Sequence, residues 1–282
     1  MFDRLSRSWE LVKASAAVLR ADKELLVFPI VSAVASLLVV VTFAVPVILT
    51  LVVAPGSLEG GRFPVVGYVL GFAFYVVQYF VIFFCNTALV GAALIRLRGG
   101  DPTVRDGFRI AFSRLPQIVG YAIIAATVGM ILRFISERAG FLGVIVASVI
   151  GFAWNVATFL VVPVLAVEGV GPIEAIKRSG GLLRKTWGEQ IIGNVGIGLL
   201  FGLLMFVVLI IGGLLIVVAA QASMALTMAA VVIVMLALGI VGLVGSAVAG
   251  IYVASLYRYA TKGDGGTTFS PEDLSGAFRR RG

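Results

Sequence analysis

Six neutral polar side chains stand inside otherwise apolar stretches: Gln78, Asn86, Thr87, Asn155, Thr158 and Asn194. Amides and hydroxyls can hydrogen-bond a solute, an anion or a neighbouring helix, but they do not exchange a proton at neutral pH. Ionisable groups inside hydrocarbon mark proton relays, ion paths and voltage sensors. Here no Asp, Glu, Lys, Arg or His falls near the middle of any long apolar stretch. The pattern argues against a proton-coupled pump, a voltage sensor and intramembrane hydrolysis. Two uses of the neutral set remain. They can tie helices together, at about 0.6 kcal/mol per interhelical hydrogen bond, or they can form a polar ring that passes a small anion or neutral solute through an oligomeric pore.

Catalytic chemistry has little to work with. The chain has no His, and its one cysteine, Cys85, sits in an apolar run, so neither an imidazole ligand nor a disulfide framework is available. There is no Ser/His/Asp set, Walker loop or Gly-rich strand–helix turn. The expectation is a protein that is not an enzyme and takes no cofactor or metal.

The charged residues gather between the apolar stretches. Two short segments carry most of the internal cations: 102–115 with Arg105, Arg109 and Arg114, and 172–187 with Lys177, Arg178, Arg184 and Lys185. In the first, Val104, Phe108, Ala111 and Leu115 recur at helical spacing; in the second, Ile173, Ile176, Leu183 and Trp187 do so. Phe2, Leu5, Trp9, Val12, Ala16 and Leu19 make a similar stripe at the start of the chain. An apolar stripe flanked by cations suits a helix lying at headgroup level beside anionic lipid, where each nearby Lys or Arg adds about 1 kcal/mol. Pro102 and Pro172 are expected in first helical turns, and Gly180-Gly181 predicts a bend or close approach.

Composition explains what must hold these residues. The 282 residues are 60% hydrophobic and 13% charged, with a net charge of +8; a soluble domain has about 45–50% apolar and 25% charged residues. Six stretches are long enough to cross a bilayer: Leu25–Val53, Pro64–Ile95, Gln117–Ile135, Ala139–Val167, Gln190–Ala220 and Ser223–Tyr257. The first is too long for the apolar core of a signal peptide and is expected to remain as a span. Prolines 29, 46 and 163 predict kinks, and the short connectors at 136–138 and 221–222 predict hairpins or a broken helix. The fold class is therefore all-α: a polytopic membrane helical bundle of about six transmembrane helices with three basic amphipathic interfacial helices.

With the N-terminus inside, 19 of the 22 Lys and Arg fall on the cytoplasmic side, leaving Arg62, Arg133 and Arg138 outside. The positive-inside rule then puts both termini on the cytoplasmic side of the membrane. The basic balance reflects topology and anionic lipid, and nucleic acid is not an expected partner.

Each pair of spans follows one basic segment. Residues 10–20 and 174–184 share Glu, Lys, Ser, Leu and Arg at matching positions, Ser15 with Ser179 among them. This suggests one membrane domain over 1–262, with repeats at 1–96, 97–167 and 168–257, followed by a cytoplasmic tail at 263–282. For close helix contacts the candidates are Gly67 with Gly71, Gly198 with Gly202, and the ridge Gly242, Ser246, Gly250.

The run from Glu168 through Pro172, Arg178, Ser179, Arg184 and Trp187 to Gly188 resembles a motif of uncharacterised bacterial multi-pass families, including relatives of the membrane domain fused to glycerophosphodiester phosphodiesterases. Arg7-Ser-Trp9 through Pro29, and Leu256-Tyr-Arg-Tyr-Ala260, look like one such family of unknown function. The basic helix and Phe28-Pro29 at the first span are also similar to the sulfate-permease and etoposide-induced membrane families. The first resemblance implies an architecture; the second implies anion permeation by overall pattern, with no residue carried over. Two functions are expected to compete: a homo-oligomeric passive channel or permease for a small anion or neutral solute, and a non-transporting scaffold or accessory subunit that binds anionic lipid or a partner protein.

Overall fold

The structure is a computed structural model that describes residues 13–53, 63–138, 140–187 and 196–263. Helix α1 covers 13–21 and leads through a 3-10 turn, Lys23–Leu26, into α2, Val27–Val53. There follow α3 (Phe63–Leu97), α4 (Val104–Ser113), α5 (Leu115–Arg138), α6 (Gly140–Thr158), α7 (Val161–Glu168), α8 (Pro172–Trp187), α9 (Gly196–Ala222) and α10 (Met224–Lys262). Six helical stretches are long and apolar enough to cross a membrane. The protein is an all-α polytopic bundle.

The helices alternate in direction, so the starts of α2, α5 and α9 and the ends of α3, α7 and α10 share one end of the bundle. That end carries α1, α4 and α8 and most of the described cations. We refer to it as the basic end. The opposite end holds Arg133 and Arg138: Arg133 donates from Nε to Glu137 Oε1 (2.7 Å) and from Nη1 to the Tyr75 hydroxyl (3.1 Å), while Arg138 lies over the Phe134 ring. Arg62 falls outside the described residues.

The well-packed core sits at the basic end. Ala88–Leu97 of α3, Ala247–Tyr257 of α10 and Leu160–Leu165 supply most of it, joined by Val18, Leu25, Phe28, Ala111, Ala175 and Leu183. The far halves of α2, α6, α9 and α10 expose their Leu, Ile, Val and Phe side chains. Apolar helices in lipid gain nothing from hydrophobic burial against each other, so association depends on close packing and polar ties. Both are concentrated where the surface helices dock.

Helix α4 shows how docking is encoded. Thr103 and Asp106 form a capping box at its start, with the Asp106 N–H donating to Thr103 Oγ1 (3.2 Å) and the Thr103 N–H to Asp106 Oδ2 (3.1 Å). These bonds hold the Asp106 carboxyl below its usual pKa. Pro102 therefore lies before the cap rather than in the first turn, because a proline there could not replace the capping hydroxyl. The Val104 N–H donates to Glu24 Oε2 (3.0 Å), tying α4 to the turn before α2. One turn on, Gly107 faces the Phe28 ring and the Ala88 carbonyl, which a Cβ would meet at 2.8 Å. Phe108 then meets Phe28 edge to face (centroids 5.2 Å) and stacks on Phe84 (6.0 Å). The apolar stripe that the sequence offered to lipid is buried on the protein itself.

Three local expectations change. Helix α8 continues through Gly180 and Gly181 without a close approach there, since a Cβ at either would meet nothing within 4 Å; the opposite face, with Ala175, Ser179 and Leu183 buried, fixes the helix instead. The sixth apolar stretch continues as helix to Lys262, past Tyr257, and ends at Gly263 with φ +76°. The fourth stretch is two helices, not one. Pro29 falls in the first turn of α2, and α2 continues through Pro46.

Candidate functional site at the broken fourth span

The break follows from Pro163. Proline has no N–H to give to the Phe159 carbonyl, and its ring clashes with that turn, so the i→i−4 ladder cannot pass unbroken. The chain responds by tightening: the Phe159 N–H donates to Val156 O (3.3 Å), and the ladder resumes with Val164 N–H to Leu160 O (3.1 Å). That leaves the Leu160 N–H inside a fully buried environment. It donates to Ser179 Oγ of α8 (3.0 Å), itself fully buried. A surface helix thus caps the second half of a membrane span.

On the α6 side, Thr158 Oγ1 donates to Trp154 O (2.8 Å), and the Tyr121 hydroxyl of α5 is within hydrogen-bonding reach of Thr158. Tyr121 ends an aromatic column: Phe83 lies 4.5 Å away, Tyr79 stacks on Phe83 at 5.6 Å, and Tyr75 on Tyr79 at 6.3 Å, all centroid to centroid. Asn155, one turn before the break, is exposed on α6 and its amide has no partner among the described residues. It stands about 22 Å along the helix from Gly140 at 1.5 Å per residue, inside a hydrocarbon layer of about 30 Å.

The other end of α7 is tied just as firmly. Gly169 closes the helix with φ +64°, and a Cβ there would run into the Arg114 guanidinium. Arg114 donates from Nε to Ala166 O (3.5 Å) and from Nη2 to Val167 O (3.4 Å), and Gln117 Nε2 donates to Gly169 O (3.4 Å). A cation on the terminal carbonyls also meets the negative end of the helix dipole. Glu168 gathers three elements: Arg178 Nη1 of α8 pairs with its Oε2, and the Tyr257 hydroxyl of α10 donates to its Oε1 (2.9 Å). Arg178 also donates from Nε to Glu174 Oε1 (3.0 Å), and these bonds raise its pKa. Beside this hub, Arg258 Nη1 donates to Leu97 O (2.8 Å) at the end of α3.

The polar residues expected in the spans are therefore scattered. Thr87 is buried and donates to its own helix at Phe83 O (2.7 Å). Gln78 is half-buried with Oε1 unpartnered, Asn86 is half-buried, and Asn194 lies outside the described residues. Only Thr158 and Asn155 flank the break. Of the cations expected at lipid, Arg114 and Arg178 have partners within the protein, Arg178 while still exposed; Arg105, Arg109, Lys177 and Arg184 are exposed, and the Lys185 side chain lies outside the description. Of the glycine contacts, Gly250 meets Leu89 closely and Gly242 meets Met205 at 3.6 Å; Gly71, Gly198 and Gly202 face open space, and Ser246 is exposed. Tight glycine contacts elsewhere include Gly91 on Ile110, Gly120 on Pro172, Gly212 on Val234 and Gly245 on Phe201. Spacing reports that two small residues share a face; it does not report which face meets a neighbour.

Sequence reasoning passed over Ser179, Glu168, Tyr121 and Tyr257 as site residues. Pro163 pointed to the break, and the matched serines at 15 and 179 marked the capping position, but neither says which backbone N–H needs a partner.

A bundle of this kind, with residues 65–268 matching the profile of a family described only as of unknown function, has a place among known proteins. The chain belongs to the DUF6159 family. The region matched in this DUF6159 protein runs from α3 to beyond the end of α10 and so contains the break, Ser179, Glu168 and Tyr257. No curated protein and no solved structure matches the chain.

Proposed function

We propose that this DUF6159 protein is a homo-oligomeric passive channel or permease for a small anion or neutral solute, set in a bacterial inner membrane with its basic end toward the cytoplasm. Span four carries the reading. It is interrupted inside a membrane-length stretch, and Asn155 beside the interruption turns an unpartnered amide outward. Discontinuous helices are characteristic of transporter substrate sites. An amide without partners in hydrocarbon costs about 2–7 kcal/mol, depending on the reference, so its natural neighbour is another copy of the chain or a wet path between copies. The amide, the Thr158 hydroxyl and the nearby backbone can hydrogen-bond a solute without exchanging protons, which suits passive passage. The basic end would concentrate anions before entry, and the resemblance to sulfate-permease-type families supports the anionic alternative.

The test is reconstitution. Liposomes containing the purified chain are expected to pass chloride, sulfate or glycerol at rates proportional to protein density, and Asn155→Leu is expected to lower the rate at least tenfold. Vesicles that stay inert to all three solutes at high protein density would overturn the proposal.

A further inference from the structure

Val104, Phe108 and Ala111 of α4 and Ala175, Ile176 and Leu183 of α8 pack on the protein, so what these helices present outward is a second pattern, to which Ile173 of the α8 stripe belongs. On α4 the outward residues at i, i+4 and i+7 are Arg105, Arg109 and Phe112; on α8, at i, i+4 and i+11, they are Ile173, Lys177 and Arg184. Phe112 and Ile173 are each 61% exposed. Lys177 and Arg184 form no ion pair among the described residues, and Arg105 and Arg109 share the field of one carboxylate, Asp106, which Arg109 approaches to 3.8 Å. The cations beside them that do have partners, Arg96, Arg114 and Arg178, hold Asp101, the α7 carbonyls and Glu168.

The geometry points to these two outward stripes as a binding surface for anionic phospholipid headgroups, independent of any permeation path. Each stripe pairs cations with one exposed bulky apolar side chain, as an interfacial helix does when cations meet phosphates and its apolar groups enter the acyl boundary. An acidic soluble partner would match the charge but leave Phe112 and Ile173 unexplained. Phe112 also touches Phe84 (centroids 5.0 Å), about 20 Å before the end of α3 at 1.5 Å per residue, so the aromatic lies toward the span and Arg105 toward the basic end. The four cations each add attraction to an anionic leaflet.

The full chain, purified in detergent, is titrated with dioleoylphosphatidylglycerol, dioleoylphosphatidylcholine or inorganic phosphate, and its melting temperature and retained lipids are measured. Phosphatidylglycerol is expected to raise the melting temperature and to be retained selectively, and R105Q/R109Q/K177Q/R184Q is expected to lose at least half of both effects. Each pair of substitutions alone, and 0.5 M salt on the unaltered chain, give the same reading if the quadruple variant folds poorly. Equal stabilisation by phosphatidylcholine, equal retention by the variants, or a shift reproduced by millimolar inorganic phosphate would overturn it. So would an acidic protein captured on these stripes that phosphatidylglycerol does not displace.

Discussion

Leu160 of α7 donates its backbone N–H to Ser179 of α8 across 3.0 Å, with both residues fully buried. Their partnership exists because Pro163 interrupts span four and leaves a donor that no carbonyl of its own helix receives. Removing the acceptor strands that donor, at about 1–3 kcal/mol for an unsatisfied buried group. Ser179→Ala is expected to lower the melting temperature. Ser15, the matching serine of the first basic segment, is equally buried but its Oγ has no hydrogen-bond partner among the described residues; Ser15→Ala is expected to be neutral or stabilising. Thermal unfolding of the two variants side by side checks the contrast, and equal losses would refute it.

Glu168 links α7, α8 and α10 through Arg178 and Tyr257. Because the three side chains share one carboxylate, their energies should not add. Tyr257→Phe and Arg178→Gln are each expected to destabilise, and the double variant should lose less than the sum. A double-mutant cycle on unfolding in detergent measures the shortfall; strict additivity would mean the hub does not act as a unit.

Asp22 offers a pH test. It caps the turn before α2 by accepting the Glu24 N–H at Oδ1 (3.2 Å), while Oδ2 is buried without a hydrogen-bond partner among the described residues. Burial raises its pKa, against the pull of the Glu24 N–H and Arg96. A raised carboxyl pKa means that the charged form opposes folding, so this contribution improves as pH falls through the folded-state value and is complete below the ordinary carboxylate range. Asp22→Asn keeps the cap and removes the charge. It is expected to raise the melting temperature near pH 7 and to converge with the unaltered protein on acidification; a difference that widens toward acid would contradict the assignment.

Gly107 and Gly169 fail for different reasons when replaced. Gly107→Ala places a methyl against the Phe28 ring and the Ala88 carbonyl, whereas Gly169→Ala forces a left-handed backbone and displaces Arg114. Both are expected to cost more than 1 kcal/mol, the scale of overpacking and of a strained φ. Phe28→Leu should partly rescue Gly107→Ala and leave Gly169→Ala unchanged, as read from melting temperatures.

The sequence alone determined the class of molecule. Sixty per cent apolar residues in six membrane-length runs leave no other solvent than lipid, and helical spacing located the surface helices α4 and α8. Those features are local, carried by composition and period. The tertiary structure decided what each face touches. Arg105 and Arg114 read alike in sequence, yet one is exposed and the other holds the end of α7; Gly198 and Gly250 sit in equivalent motifs, yet one faces open space and the other Leu89. Pro163 foretold a disturbance, but the acceptor that made a clean break possible came from another helix, 19 residues beyond Leu160. In lipid every apolar face is tolerable, so periodicity cannot tell a packed face from a solvated one; only the positions of the neighbouring helices do that.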